Sequence, residues 1–427
     1  MVFETKWIRG NFDDPLEAAT FAMFRINLAG EIVTRFYDRT AGSERDFINV
    51  EIYPLALCVA KNWWPLLYEP RKSDERDSLA EVRHSLDAYM TGYVFPAITL
   101  WSSGDDAISI EVPDVKQEFS SVEFLPVKNR DVSLARSDVE ANLFELVQSV
   151  ISRLPRGAGN ELREVWERVC ASMGDQEEQR YCIAAGQLGL DPYDSNQIDI
   201  AALSNELSDR LFSDICEAAT PQELPDATTW AREGAHRLVT ISEIIGALGK
   251  PTPRHPELPI WEHGYEAARS LRQNLNLEGV EPRRAIDQIF GGTIRGEFIR
   301  QSPHPYSLNA ITGHRDDALK VALPNVSARM RRSTLCRALY VAWRTDEGDF
   351  SAVTTAGTLN QQASRAFAAE LLAPEYQLRE RAGPNGLTED VIGSIAEENV
   401  CPEATVIWHA YNRKIPLRGV PLPAATQ

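Results

Sequence analysis

The chain has 427 residues, 43% hydrophobic and 25% charged, with a formal net charge of −18. That length exceeds one typical core, so two or three domains are expected, and the apolar content excludes wholesale disorder. The negative charge works against nonspecific nucleic-acid binding, which relies on Lys and Arg to neutralise phosphates, and no apolar run approaches the roughly 20 residues of a membrane helix.

The opening segment MVFETKWIRGNFDD has neither an apolar signal core nor an Arg/Ser-rich transit pattern, so a cytoplasmic protein is expected. The six cysteines lie far apart with no CxxC pair, which argues against a disulfide framework or a zinc ribbon; most are expected as small buried hydrophobes. The seven histidines never fall at His-x-x-x-His spacing. Charge is uneven: Pro251 to Arg344 carries fourteen Lys and Arg against nine Asp and Glu, leaving about −23 on the rest. A local basic face and dispersed surface charge are both compatible with that count.

Residues 1–130 read as a β-rich domain. FAMFRINLAGEIVTRFYDR alternates around Ala-Gly, a hairpin signal with Gly30 free to take positive φ. YVFPAITLWSSGDDAISIEV is a second hairpin, with Ser-Gly-Asp-Asp as its turn. Between them, IYPLALCVAKNWWPLLYEP predicts a short helix running into an aromatic segment. Trp63 and Trp64, beside Leu66 and Leu67, are expected in the core rather than on a recognition surface.

Residues 131–250 read as a helical region. SDVEANLFELVQSVISRL, GNELREVWERVCASM and ALSNELSDRLFSDICEAA each carry helical apolar spacing. Gly189 sits where a helix-turn-helix would need a glycine, but the segment after it lacks basic residues, so a plain helical subdomain is expected. ATPQELPDATT and GKPTPRHPELP are Pro-rich and read as linkers, with the main boundary at the second. SEIIGALGKPT is not a phosphate loop, because Ile244 replaces the earlier glycine and Pro251 follows the lysine.

Residues 251–427 form the third domain. WEHGYEAARSLRQNLNLEGVEPRRAIDQIFGG predicts two helices around a glycine-containing break, and a β-rich stretch follows from Thr293 to about Asn325. From Arg329 to Tyr376, two alanine-rich amphipathic segments are joined by a polar loop, a buried helical hairpin on pattern alone. LTEDVIGSIAEENVCPEATVIWHAYNRKIPL supplies two more helices before a Pro-rich tail. The fold class expected is α+β.

Residues 261 to about 415 resemble the ImmA/IrrE family of bacterial zinc metallopeptidases. The helix pair from Trp261 is similar to the family's opening helices, and DDALKVALPN to its strand ending in Asn. RRSTLCRALYVA resembles its R-F-T-L-A-H-E-L-G-H helix, and NQQASRAFAAELLAPEYQL its E-A-N-x-F-A-A-E-L-L-M-P helix. The resemblance implies a zincin-like C-terminal domain. The family's chemistry needs two histidines one helical turn apart, a glutamate beside the first, and a later carboxylate ligand.

The matching positions here are Arg337, Ala338 and Val341, within Arg337-Ala338-Leu339-Tyr340-Val341, and then Ala363, or Gln362 if the helix is shifted by one. None can serve: Arg stays protonated, and Ala and Val have no lone pair to offer. No catalytic residue, metal or cofactor is therefore assigned.

Two readings of this degenerate site stay open. One is a pseudo-peptidase that keeps the fold without the metal. The other is a different catalytic set in the same groove, drawn from His314, Arg315, Asp316 and Asp317 with Arg337 as an anion clamp, although GHRDD reads first as an exposed polar turn. Arg337, Tyr340 and Arg365 are the residues expected along the cleft, where a buried Arg337 needs a carboxylate partner or an anion. Glu370 lies too far along its helix to be that partner, and His409 reads as a core or capping histidine.

The functional expectation is a non-catalytic regulatory or binding protein with a protein partner. By resemblance only, its context would be phage defence, toxin–antitoxin pairs or mobile-element control. The alternatives are a hydrolase (protease or nuclease) with an altered site, and a DNA-binding transcriptional regulator using 251–344. Net charge disfavours nucleic acid, and no membrane is expected.

Overall fold

A computed structural model describes residues 1–10, 12–72, 78–113, 121–194, 198–251, 258–291, 298–299 and 305–423. Much of the second Pro-rich segment, and residues 293–297 and 300–304 of the expected β-rich stretch, lie outside the described residues, as do Arg254, His255, Arg295, Arg300 and His304. The class is mixed α+β, as expected, with 49% helix and 19% strand. The chain divides into two compact units, Met1–Arg71 with Glu75–Gln197, and Lys72–Asp74 with Ile198–Gln427. These boundaries do not follow the expected divisions at 130 and 250. The first helices after 131 pack on the early strands, while those from Ile200 onward belong to the second unit.

In the first unit, Val2–Trp7 pairs antiparallel with Phe21–Leu28, which also pairs with Glu31–Ile32 and Ile48–Glu51. The Ala-Gly turn is the expected one, with φ 50° at Ala29 and 89° at Gly30. The second expected hairpin sets Leu100 opposite Ile110, and Asp131–Ala135 pairs with its other strand. Trp63 and Trp64 are buried at 1% and 2% exposure, Trp63 lying edge-on to Trp166 at 5.0 Å, so these tandem aromatics are core. Gly189 takes φ 73°, and a Cβ there would lie 2.4 Å from the Glu69 carboxylate. It serves a close approach to Glu69, and no helix follows it through Asp194.

In the second unit, one sheet runs Val239–Glu243, Ala318–Pro324, Leu308–Arg315, Phe350–Thr354, with Phe298–Ile299 pairing parallel to Ala318–Pro324. Leu319, Val321, Ala310 and Val353 meet Leu335, Leu339, Phe367 and Leu371 in one core; the helix Ala328–Arg344 lies on the sheet, and Leu359–Leu372 packs against that helix. Ile260–Asn274 packs along Leu359–Leu372. At Gly264 a Cβ would lie 2.2 Å from the Ala363 carbonyl oxygen, so only glycine allows this helix spacing.

Two expectations need correction. ATPQELPDATT is not a linker: the helix Leu224–His236 begins inside it, with Pro225 in the first turn, where a missing N–H costs nothing. The Arg329–Tyr376 stretch is not a bare helical hairpin either. Its polar loop contains the strand Phe350–Thr354, whose alternating pattern is too short to register beside two long helices. Among the described residues, no helix is long and apolar enough to cross a membrane.

Candidate functional site

The helix Ala328–Arg344 starts at Ser327, whose hydroxyl accepts from Met330 N at 3.4 Å. It is buried on all sides from Thr334 to Trp343, so every polar group there needs an internal partner. Arg337 is the charged residue in that run, with 9% of its surface exposed. Its Nε donates to Ser364 Oγ at 3.2 Å, and its Nη2 to Thr354 O at 2.5 Å and Gln361 Oε1 at 2.8 Å. Every acceptor is neutral. Burial, and secondarily the charge of Arg365, lowers the Arg337 pKa well below the ordinary guanidinium value.

Thr354 ends the strand Phe350–Thr354, which among the described residues pairs on one side only, with Leu308–Arg315. The other edge of such a strand is a row of open N–H and C=O groups, a ready template for an added strand. Here that edge is closed at Ala352 and Thr354. Ala352 N donates to Asp214 Oδ2 at 2.8 Å, and Ala352 O accepts from Gln361 Nε2 at 2.8 Å. Thr354 N donates to Gln361 Oε1 at 3.0 Å, and Thr354 O is held by Arg337. Asp214 also accepts from Ser351 Oγ, and its helix, Asp209–Ala218, lies along the strand.

Arg365 sits two turns into Leu359–Leu372, partly exposed, and reaches back so that Nη2 donates to Ala356 O at 2.8 Å. Burial pushes its pKa down to about 10. The loop between strand and helix is therefore gripped by two cations. Among the described residues, neither arginine has a carboxylate within ion-pair reach.

The remaining predicted site residues separate into two groups. Ala338, Val341 and Ala363 are fully buried core positions, and the Ala338 carbonyl accepts from Thr312 Oγ1 at 3.2 Å. Tyr340 is also core, at 2% exposure against Phe367 and Trp343, which corrects its expected place on the cleft. A hydroxyl on an amphipathic helix marks neither face reliably, and this helix is buried all round.

The GHRDD residues do not join Arg337. Asp316 and Asp317 adopt positive φ of 48° and 59° as the two-residue turn linking paired strands. His314 Nε2 lies 3.0 Å from Thr345 O, Asp316 N donates to Glu347, and the Asp317 carbonyl accepts from Ile244 N and Ile245 N. Arg315 is exposed beside them. Thr354 pairs with Leu308 and Phe350 with Gly313, so His314 stands at the opposite end of this strand pair from the Arg337 contact. The proposed alternative catalytic set is therefore not assembled.

His409 is buried, as expected. Its Nδ1 lies 2.9 Å from Ala373 O, its Nε2 3.1 Å from Glu370 Oε2, and its ring stacks on Tyr265. Glu370 also accepts from Arg269 Nε at 3.1 Å, so it belongs to a separate network. Other basic residues of the 251–344 stretch are likewise engaged internally: Arg332 pairs with Asp287, and Arg272 donates to the Leu277 and Val280 carbonyls.

The residues missed in the sequence are Gln361, Asp214 and Gly264. Gln361 carried a weak signal, as a polar side chain on the apolar face one helical turn before Arg365. Asp214 carried none, because its partner strand lies far along the chain. At the positions matched to metal ligands, the side chains do not fit zinc. Among the described residues, no group of three His, Cys, Asp or Glu is arranged to hold a metal ion. The chain matches no family model, no curated protein and no solved structure.

Proposed function

We propose that this chain is a non-catalytic binding or regulatory protein. Its C-terminal unit would use a zincin-like scaffold of the ImmA/IrrE type whose metal site has been replaced by Arg337. The observation that carries this reading is the edge of Phe350–Thr354, closed at Ala352 and Thr354. Asp214, Gln361 and Arg337 take all four outward groups of Ala352 and Thr354, so an extended peptide has no strand to pair with there. The resemblance in RRSTLCRALYVA and NQQASRAFAAELLAPEYQL supports the scaffold. The substitution of every ligand position supports loss of hydrolysis.

The same resemblance supports a role in phage defence, toxin–antitoxin control or mobile-element regulation through a protein partner. Metal analysis and peptide hydrolysis on the purified full chain test the first step. Substoichiometric zinc and no cleavage are expected. Stoichiometric zinc, or cleavage that Arg337→Ala abolishes, overturns the proposal. Partner capture with wild type and Arg337→Ala tests the second: loss of capture is expected, and equal capture removes this site as the working surface.

A further inference from the structure

Arg337 and Arg365 approach one loop from two helices. Their Nη2 atoms bond the carbonyls of Thr354 and Ala356, two residues apart, a span of at most about 7 Å. Both cations are thus held close together, and among the described residues no carboxylate offsets them. A guanidinium does not shed its proton to relieve this, so the positive charge stays.

Neither arginine is sealed: Arg337 keeps 9% exposure and Arg365 more. Among the described residues, hydrogen bonds occupy Nε and Nη2 of Arg337 but only Nη2 of Arg365, leaving further N–H groups on both for a ligand. The adjoining helix Leu359–Leu372 has no side-chain cap at Thr358 and no acidic residue in its first turn, so its N-terminal N–H groups add positive potential to the same loop.

We propose that Arg337, Arg365 and the uncapped helix start at Thr358 form a binding site for a phosphate monoester dianion. Two guanidinium forks match the charge of a dianion, where a single carboxylate would balance only one. The proposal rests on the reading that this cleft binds rather than cleaves, and the two fail separately. Stoichiometric zinc overturns that reading, whereas a flat phosphate titration overturns the site alone.

The test is thermal unfolding of the full chain titrated with inorganic phosphate, O-phosphoserine or AMP, each against sodium chloride at equal ionic strength. A saturable rise of roughly 2–5 °C is expected for wild type with at least one of the three. The ligand with the lowest half-saturation identifies the source of the phosphoryl group. Arg365→Met is expected to lose the shift, and so is Arg337→Met where it folds. Arg284→Met, at an exposed pair on another helix, is expected to keep it. A flat titration for all three ligands, or a shift retained in Arg365→Met, overturns the site. Arg365→Met carries the test even if Arg337→Met fails to fold, because Arg365 makes a single bond at a partly exposed position.

Discussion

Gln361 Oε1 accepts from Arg337 Nη2 at 2.8 Å and, at the same time, from the Thr354 backbone N–H at 3.0 Å. With its Nε2 on Ala352 O, the amide completes the strand as a neighbouring strand would and ties the arginine to it. Gln361→Ala would leave Ala352 O and Thr354 N buried without partners. The expected loss is about 3 kcal/mol, read as a drop of roughly 6–12 °C in the melting temperature of the C-terminal unit. A drop under 2 °C would show that water replaces the amide there.

Arg337→Met removes a buried charge that has only neutral acceptors. It orphans Thr354 O, since Gln361 Oε1 keeps its bond from Thr354 N and Ser364 Oγ keeps its donation to Gln361 O. The two effects oppose, so in phosphate-free buffer the variant is expected within about 1 kcal/mol of wild type by urea unfolding. A loss of several kcal/mol would mean that Arg337 is a structural keystone without any anion.

Gly264→Ala is expected to push Ile260–Asn274 off Leu359–Leu372, because the new methyl would meet the Ala363 oxygen and, at 2.8 Å, Phe367 N. The backbone of a packed helix cannot yield as a side chain tip can. A destabilisation of about 2–3 kcal/mol is expected by denaturant titration, and a neutral result would contradict this close approach.

Glu51 gives a pH-dependent prediction. Partial burial, then Asp14 and Glu17, raise its pKa to about 7. A carboxyl raised in the folded state binds protons more tightly there than in the unfolded chain. Stability is therefore fully present below the unfolded value of about 4.5 and is lost as pH rises towards 7. Glu51→Gln is expected to stabilise the first unit by about 1 kcal/mol at pH 8, after allowing for solvent screening, and to leave it unchanged at pH 4. Paired melts at the two pH values check the sign; stabilisation confined to low pH would reverse it.

Local pattern alone was enough to read several elements of this chain. The Ala29–Gly30 and Gly104–Asp106 turns, the core placement of Trp63 and Trp64, and the helices around Leu339 and Phe367 each follow from period, turn chemistry or burial preference within a few residues. That Arg337, Ala338 and Val341 offer no zinc ligand is likewise a fact of sequence.

Tertiary structure decided what Arg337 touches. Its partners, Thr354, Gln361 and Ser364, come from a strand and a second helix, and the Asp214 that closes the same strand lies more than a hundred residues away. It also decided that His314 and the two aspartates stand at the far end of the strand from Arg337. Strand pairing places side chains by register, a relation between distant segments, whereas periodicity reports only which face of its own segment a residue occupies.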